Sequence, residues 1–132
     1  MPTFRRFEDI QAWQKARQVT KIVYNLTKNG EFSRDFGLRD QIRRASVSIM
    51  ANIAEGFARR SDKDFAYFLN ISRSSVAEVQ SHLYVAVDQE YMEQSEFDEL
   101  YANLEEASKM IFGLAKHLVS DQFNGSQMVK DK

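Results

Sequence analysis

The amino-acid sequence predicts an all-α protein, arranged as an antiparallel up-down four-helix bundle. Apolar residues recur at the 3.6-residue helical period in four long stretches of the chain. A single Pro and five Gly among 132 residues leave little support for turn-rich β structure. A chain of this length buries a core of ordinary size, so we expect one domain at residues 1–120 and a flexible polar tail at residues 121–132.

The first helix is predicted from Glu8 to Lys28, because acidic residues open it and Gly30 follows its end. Its core stripe consists of Ile10, Trp13, Ala16, Thr20, Val23 and Leu26. Trp13 is either a core residue or a platform on which nucleobases stack, and its regular apolar neighbours favour the core. A short connection at Asn29–Ser33 then predicts that the second helix returns antiparallel to the first.

The second helix, predicted from Arg34 to Ala58, has three distinct sides. Its core stripe consists of Leu38, Ile42, Ala45, Ile49, Ile53 and Gly56. Beside the core lies a polar side made of Gln41, Ser48, Asn52, Glu55 and Arg59. The third side is apolar where a monomer should present charge, and it consists of Val47, Met50, Ala54 and Phe57. This third side predicts contact with another subunit, and therefore a homo-oligomer.

The third and fourth helices begin at predicted caps. Ser61 with Asp64, and Ser95 with Asp98, have the spacing of a capping box with the shorter acid. The third helix is expected to end near Tyr91. Away from its core stripe it carries further apolar residues, which extend the predicted oligomer interface: Tyr67, Ile71 and Val85. Gly113 is a weak point in the fourth helix.

No pattern in the chain predicts an enzyme, a metal site or a cofactor. The two histidines, His82 and His117, do not form the Glu-x-x-His pairs of di-iron bundles, and no glycine loop suits a phosphate. Asn52 and Glu55 lie one turn apart, as an acid, base or oxyanion donor would, but we favour structural polar residues that fix helix register. We therefore predict no catalytic residue and no small-molecule substrate.

Charge is divided unequally along the chain. Residues 1–60 carry 12 Lys and Arg against six Asp and Glu, whereas residues 61–132 carry six against 13. The candidate nucleic-acid-binding residues are Arg43, Arg44, Arg59 and Arg60. The alternative is that these arginines pair with the acidic helices of a neighbouring subunit, in a protein-binding scaffold without nucleic acid.

Several features predict a cytoplasmic location. The chain contains no cysteine, which suits a reducing compartment. Its first residues lack the apolar run of a signal peptide, and no segment is long and apolar enough to span a membrane. We accordingly expect no membrane partner.

Three segments resemble the four-helix bundle family encoded by intervening sequences in bacterial 23S rRNA genes. They are FEDIQAWQKA (Phe7–Ala16), FGLRDQIRRASVSIMANIAEG (Phe36–Gly56) and DFAYFLNISRSS (Asp64–Ser75). The resemblance implies a ring of five subunits without established enzymatic activity. Related accessory proteins of diversity-generating retroelements bind nucleic acid and a reverse transcriptase, which implies an RNA- or DNA-associated role by analogy. This chain departs from the family pattern at Ser33, Met50 and Ser74.

Overall fold

Helices form every regular element of the computed structural model, which describes residues 4–129 and the side chains of residues 4–120. A 3-10 helix at Phe7–Asp9 precedes α1 (Gln11–Leu26), α2 (Gly30–Arg34), α3 (Phe36–Phe57), α4 (Asp62–Asp88) and α5 (Gln94–Val129). The prediction of an all-α fold is confirmed for this part of the chain. The predicted tail at residues 121–132 lies outside the described side chains and stays a prediction.

The four long helices enclose one hydrophobic core. α1 contacts α3 and α5, and α4 contacts the same two helices, so each long helix packs between two others. The largest fully buried side chains come from all four, including Ile49, Leu69, Leu83 and Leu104. This arrangement is consistent with a helical bundle.

The predicted connection before the second long helix contains α2. Phe32 is 1% exposed and stacks on Tyr91, with ring centroids 5.3 Å apart, which holds this short helix against the core. Asp35 separates α2 from α3 and caps α3, because its carboxylate accepts from the Leu38 amide at 3.2 Å. The Tyr91 hydroxyl donates to the same carboxylate at 3.0 Å. The sequence did not indicate α2, because a helix of five residues with one buried side chain is too short to show helical periodicity.

The core stripe predicted for the first helix is confirmed in part, since Ile10, Ala16 and Val23 are buried as expected. The buried residues of α1 are Ala12, Ala16, Val19 and Val23. Trp13 is half-buried instead and meets Phe7 edge-on, with ring centroids 5.1 Å apart. The large indole therefore lies at the margin of the core, where the 3-10 helix covers it.

One of the two predicted caps is confirmed. The Ser61 hydroxyl accepts from the Asp64 amide at 3.1 Å and begins α4 as expected. The cap predicted at Ser95 is wrong, since α5 already begins at Gln94. There the Glu96 carboxylate accepts from the Glu93 amide at 2.8 Å, so an acidic side chain satisfies the first turn.

α3 and α4 approach each other closely at small residues. The Ser72 hydroxyl donates to the Ile49 carbonyl at 2.7 Å across the two helices. A Cβ added to Gly56 would lie 2.9 Å from both Phe65 Cδ1 and Phe68 Cβ. Gly56 is therefore the residue that permits the close approach of the two helices.

Candidate functional site

Arg43 joins α3 to α1 rather than extending into solvent. Its Nε donates to Thr27 Oγ1 at 2.7 Å, and its Nη2 donates to the Thr27 carbonyl at 3.1 Å. The guanidinium also lies over the Tyr24 ring, 4.6 Å from the centroid. These contacts of Arg43 lie at the end of α1, which is distant from Arg43 in sequence.

Arg59 and Arg60 lie at the exposed turn between α3 and α4. Arg59 Nη2 is 2.9 Å from Glu55 Oε2, the ion pair expected from their one-turn spacing. The Arg59 guanidinium lies 4.6 Å from the ring centroid of Phe68 on α4. Two adjacent arginines therefore project at one end of the α3–α4 pair.

Arg44 is exposed and lines a polar cleft of about 270 Å³ between α3 and α4. The other lining residues are Gln41, Ala45, Ser48 and Glu78. The pKa of Asp40 lies below its ordinary value because the Arg39 guanidinium donates to its carboxylate at 2.9 Å, and the nearby charge of Arg44 contributes to the shift. The four predicted arginines thus occupy three different settings.

The polar side of the second predicted helix faces α4. The Asn52 amide donates to the carbonyl and to the hydroxyl oxygen of Ser48, both at 2.9 Å. The Ser48 and Ser75 hydroxyls are 2.8 Å apart and join the two helices. Glu55 is exposed, and its ion pair is with Arg59, one turn further along the chain. The structural role predicted for Asn52 and Glu55 stays a prediction.

The residues predicted at the oligomer interface are divided between two settings. Met50 and Phe57 are partly buried against the protein's own core, and Phe57 meets Phe65 edge-on at 6.2 Å. Val47 and Tyr67 are 40% and 62% exposed. Ala54 and Ile71 have intermediate exposure. Part of the apolar pattern that predicted a subunit contact therefore packs within the chain.

The titratable residues do not converge on a metal centre in the part of the chain that the structure describes. No group of three or more His, Asp and Glu side chains there is placed to hold a metal ion. His82 Nε2 is buried without a hydrogen-bond partner, and Glu78 Oε2 is 3.9 Å away.

Among the residues that the structure describes, no helix has the length and apolar content to cross a membrane.

The comparison with known families settles which family this chain is from. The family described as "23S rRNA-intervening sequence protein" matches residues 8–113, which include all four candidate arginines. The chain belongs to the 23S rRNA-intervening sequence protein family. The resemblance seen in the three sequence segments is thereby confirmed.

A solved structure has a fold similar to that of this member of the 23S rRNA-intervening sequence protein family. It is a protein of unknown function from the S23 ribosomal protein family of Bacteroides thetaiotaomicron, with a TM-score of 0.73 and 24% identity. The similarity covers 80% of this chain and 95% of the other. At this identity the likeness establishes the fold alone. No curated protein matches the chain significantly.

Proposed function

We propose that this protein is a non-enzymatic scaffold that forms a ring of identical subunits, most simply five, and associates with RNA or DNA. The segregation of charge is the observation that carries the proposal. The segment with 12 Lys and Arg against six acids contains α1 to α3, whereas the segment with 13 acids contains α4 and α5. One side of each subunit is thus suited to phosphate. A cytoplasmic location belongs to the proposal, since a cysteine-free chain suits a reducing compartment.

The proposed subunit is an antiparallel up-down bundle, and the contacts between helices support that direction. Along α3 and α4, Gly56 lies near Phe65 whereas Ser48 lies near Ser75. Along these contacts the residue numbers fall in α3 as they rise in α4, so the two helices run antiparallel. Arg73 beside Ser108, and Gln80 beside Glu105, give α4 and α5 the same relation.

Support for a ring comes from large apolar side chains left exposed on the single chain. Val47, Tyr67 and Val85 are 40%, 62% and 45% exposed, and all three project from α3 or α4. Five of the eight large apolar side chains exposed in the described part of the chain lie on α3 or α4, and the other three lie on α1 and α5. A group of exposed apolar side chains is typical of an interaction surface. The number five rests on the family resemblance.

The nucleic-acid contact is proposed for the α3–α4 turn and its surroundings. Arg44, Arg59 and Arg60 are exposed, so their charges are accessible to a phosphate backbone. Arg43 is half-buried, and its Nε and Nη2 both donate to Thr27. We therefore assign it a structural role in holding α3, the helix that carries Arg44, and not a phosphate contact. Arginine contacts of this kind bind the phosphate backbone and do not distinguish one base from another.

A gel-shift titration over a range of salt concentrations tests the proposal. The wild-type protein should bind oligonucleotides of unrelated sequence within about tenfold of each other, with an affinity that falls steeply as salt rises. Replacing Arg59 and Arg60 together by Gln should flatten the plot of log affinity against log salt, by about 0.9 for each phosphate that an arginine no longer neutralises on duplex DNA. The control changes Lys109 and Lys116, two exposed cations of α5, to Gln and should leave the slope unchanged.

The alternative function is a protein–protein interaction scaffold without nucleic-acid binding. The 13 acidic residues of the second segment favour it, because they are a suitable counterpart for the arginines of a neighbour. A wild-type assembly that produces no shift at about 50 mM salt would refute nucleic-acid association and support this alternative.

A further inference from the structure

The stretch of 35 residues between Arg73 and Lys109 contains no lysine or arginine. It contains nine Asp and Glu residues, and all nine are exposed. The stretch includes the second half of α4, the connection to α5 and the first part of α5. A surface formed by this segment is therefore strongly negative and repels phosphate, so nucleic acid does not suit it.

A groove of about 580 Å³ along α5 lies within this segment, and its apolar part is aromatic. Phe97, Tyr101 and the small side chain of Ala102 line it. Phe97 stacks on Tyr101 with ring centroids 5.4 Å apart, and Tyr84 of α4 meets both rings edge-on at 5.0 and 5.9 Å. Phe97 is buried, whereas Tyr101 is half-buried and Tyr84 is 52% exposed. The two tyrosines therefore present aromatic surface beside the groove.

Two carboxylates in the lining of this groove are held by neutral groups. Asp98 Oδ1 accepts from the side-chain amide of Gln94 at 2.9 Å, and Glu105 Oε1 accepts from that of Gln80 at 2.8 Å. A neutral amide orients a carboxylate without cancelling its charge. Asp98 and Glu105 therefore keep their full negative charge at fixed positions beside the tyrosines.

Lysines of the chain reach only the margins of the groove. Lys15 Nζ of α1 is 3.2 Å from Glu106 Oε2, so this third carboxylate of the lining is already paired. Lys109 lines the groove one turn beyond Glu105. Among the residues that the structure describes, however, no ion pair joins a lysine or arginine to Asp98 or Glu105. The positive charge that these two carboxylates lack has to come from another molecule.

We propose that this groove binds an arginine-rich segment of a partner protein. A guanidinium forms charged hydrogen bonds with carboxylates and also lies flat on aromatic rings, so arginine suits both parts of the surface. Asp98 and Glu105 lie seven residues apart on α5, which corresponds to about 10.5 Å along the helix axis. An extended segment spans this distance with about three residues, so two of its arginines reach both carboxylates while another covers Tyr84.

The groove is separate from the proposed phosphate contact. Arg59 and Arg60 precede the start of α4 at Asp62, and Tyr84 lies about 33 Å further along that helix at about 1.5 Å per residue. One subunit therefore has room for a basic protein segment and a nucleic acid at the same time. The inference concerns a second surface and does not rest on nucleic-acid binding.

Fluorescence anisotropy with a labelled oligoarginine peptide, at about 50 mM salt, tests the groove. Tyr84→Leu leaves the net charge unchanged and should weaken binding by about two- to fivefold, because a cation–π contact is lost. Asp98→Asn combined with Glu105→Gln should weaken it by about three- to tenfold. The matched control, Glu93→Gln combined with Glu99→Gln, removes two exposed charges of the same segment outside the groove and should bind within about twofold of the wild type. Circular dichroism checks that every variant keeps its helical signal.

Several outcomes would overturn the inference. A wild-type protein that does not bind the peptide lacks the site. Equal losses in the groove pair and the control pair, or unchanged binding by Tyr84→Leu, would show attraction to the overall charge of the segment and not to the groove. A lower mass of the groove pair in light scattering would show that a second copy of the chain occupies the groove. The salt dependence of the gel shift should be the same in all these variants, so a failure here leaves the nucleic-acid proposal standing.

Discussion

Replacing Gly56 by Ala should destabilise the protein, although alanine is the better helix former. An added Cβ would lie 2.9 Å from Phe68 Cβ and 3.1 Å from the Phe65 carbonyl oxygen. The first of these atoms is bonded to the backbone of α4 and the second belongs to it, so no side-chain rotation relieves the contact. α3 and α4 would have to separate along a region that also includes the Ser72 hydrogen bond to Ile49.

The magnitude follows from two opposing terms. Gly to Ala within a helix stabilises by about 1 kcal/mol through the unfolded state and helix propensity. Overpacking a close contact costs about 1 to 3 kcal/mol, and the upper part of that range applies where the backbone must move. We expect a net loss of roughly 1 to 2 kcal/mol for Gly56→Ala.

Gly113→Ala is the matched control, because nothing lies within 4 Å of the position of its Cβ. Only the helix propensity changes there, so the free energy of unfolding of the variant should rise by up to about 1 kcal/mol. Urea denaturation followed by circular dichroism, at one protein concentration for all variants, should move the two midpoints in opposite directions. A Gly56→Ala midpoint at or above that of the wild type would refute the argument from close packing.

Three further results are expected. Arg43→Gln should cost about 1 to 3 kcal/mol in urea denaturation, because it removes the charged hydrogen-bond partner of the buried Thr27, and a cost below about 0.5 kcal/mol would contradict that role. Asn52→Ala should cost only about 0.5 to 1.5 kcal/mol, since its amide is half-buried and bonds within its own helix, and loss of an activity at unchanged stability would indicate a ligand-binding role instead. The hydrogen bond to Asp35 raises the pKa of Tyr91, so the folded state should keep this proton and lose stability as pH rises above about 10. The difference between the absorbance titrations of the wild type and Tyr91→Phe isolates Tyr91, and a midpoint at or below about 10 in that difference would contradict the shift.

The residues alone determined most of the local structure. Apolar periodicity identified four long helices, and the Ser61 cap and the Glu55–Arg59 pair were found where their spacing placed them. These features depend on residues within one or two turns of each other, so their physical causes are contained in short segments. The segregation of charge and the family were likewise evident without coordinates, because both depend on residue identity and order.

The tertiary structure decided which neighbour covers each helix side. Periodicity shows that Met50 and Phe57 share a side of α3, but a subunit and the protein's own core produce the same pattern. The partners of Arg43 and the closeness of Gly56 to α4 depend on residues that are far apart in sequence. Side-chain packing between helices joins residues that are far apart in sequence, so the pattern of a single helix does not identify the surface against which it packs.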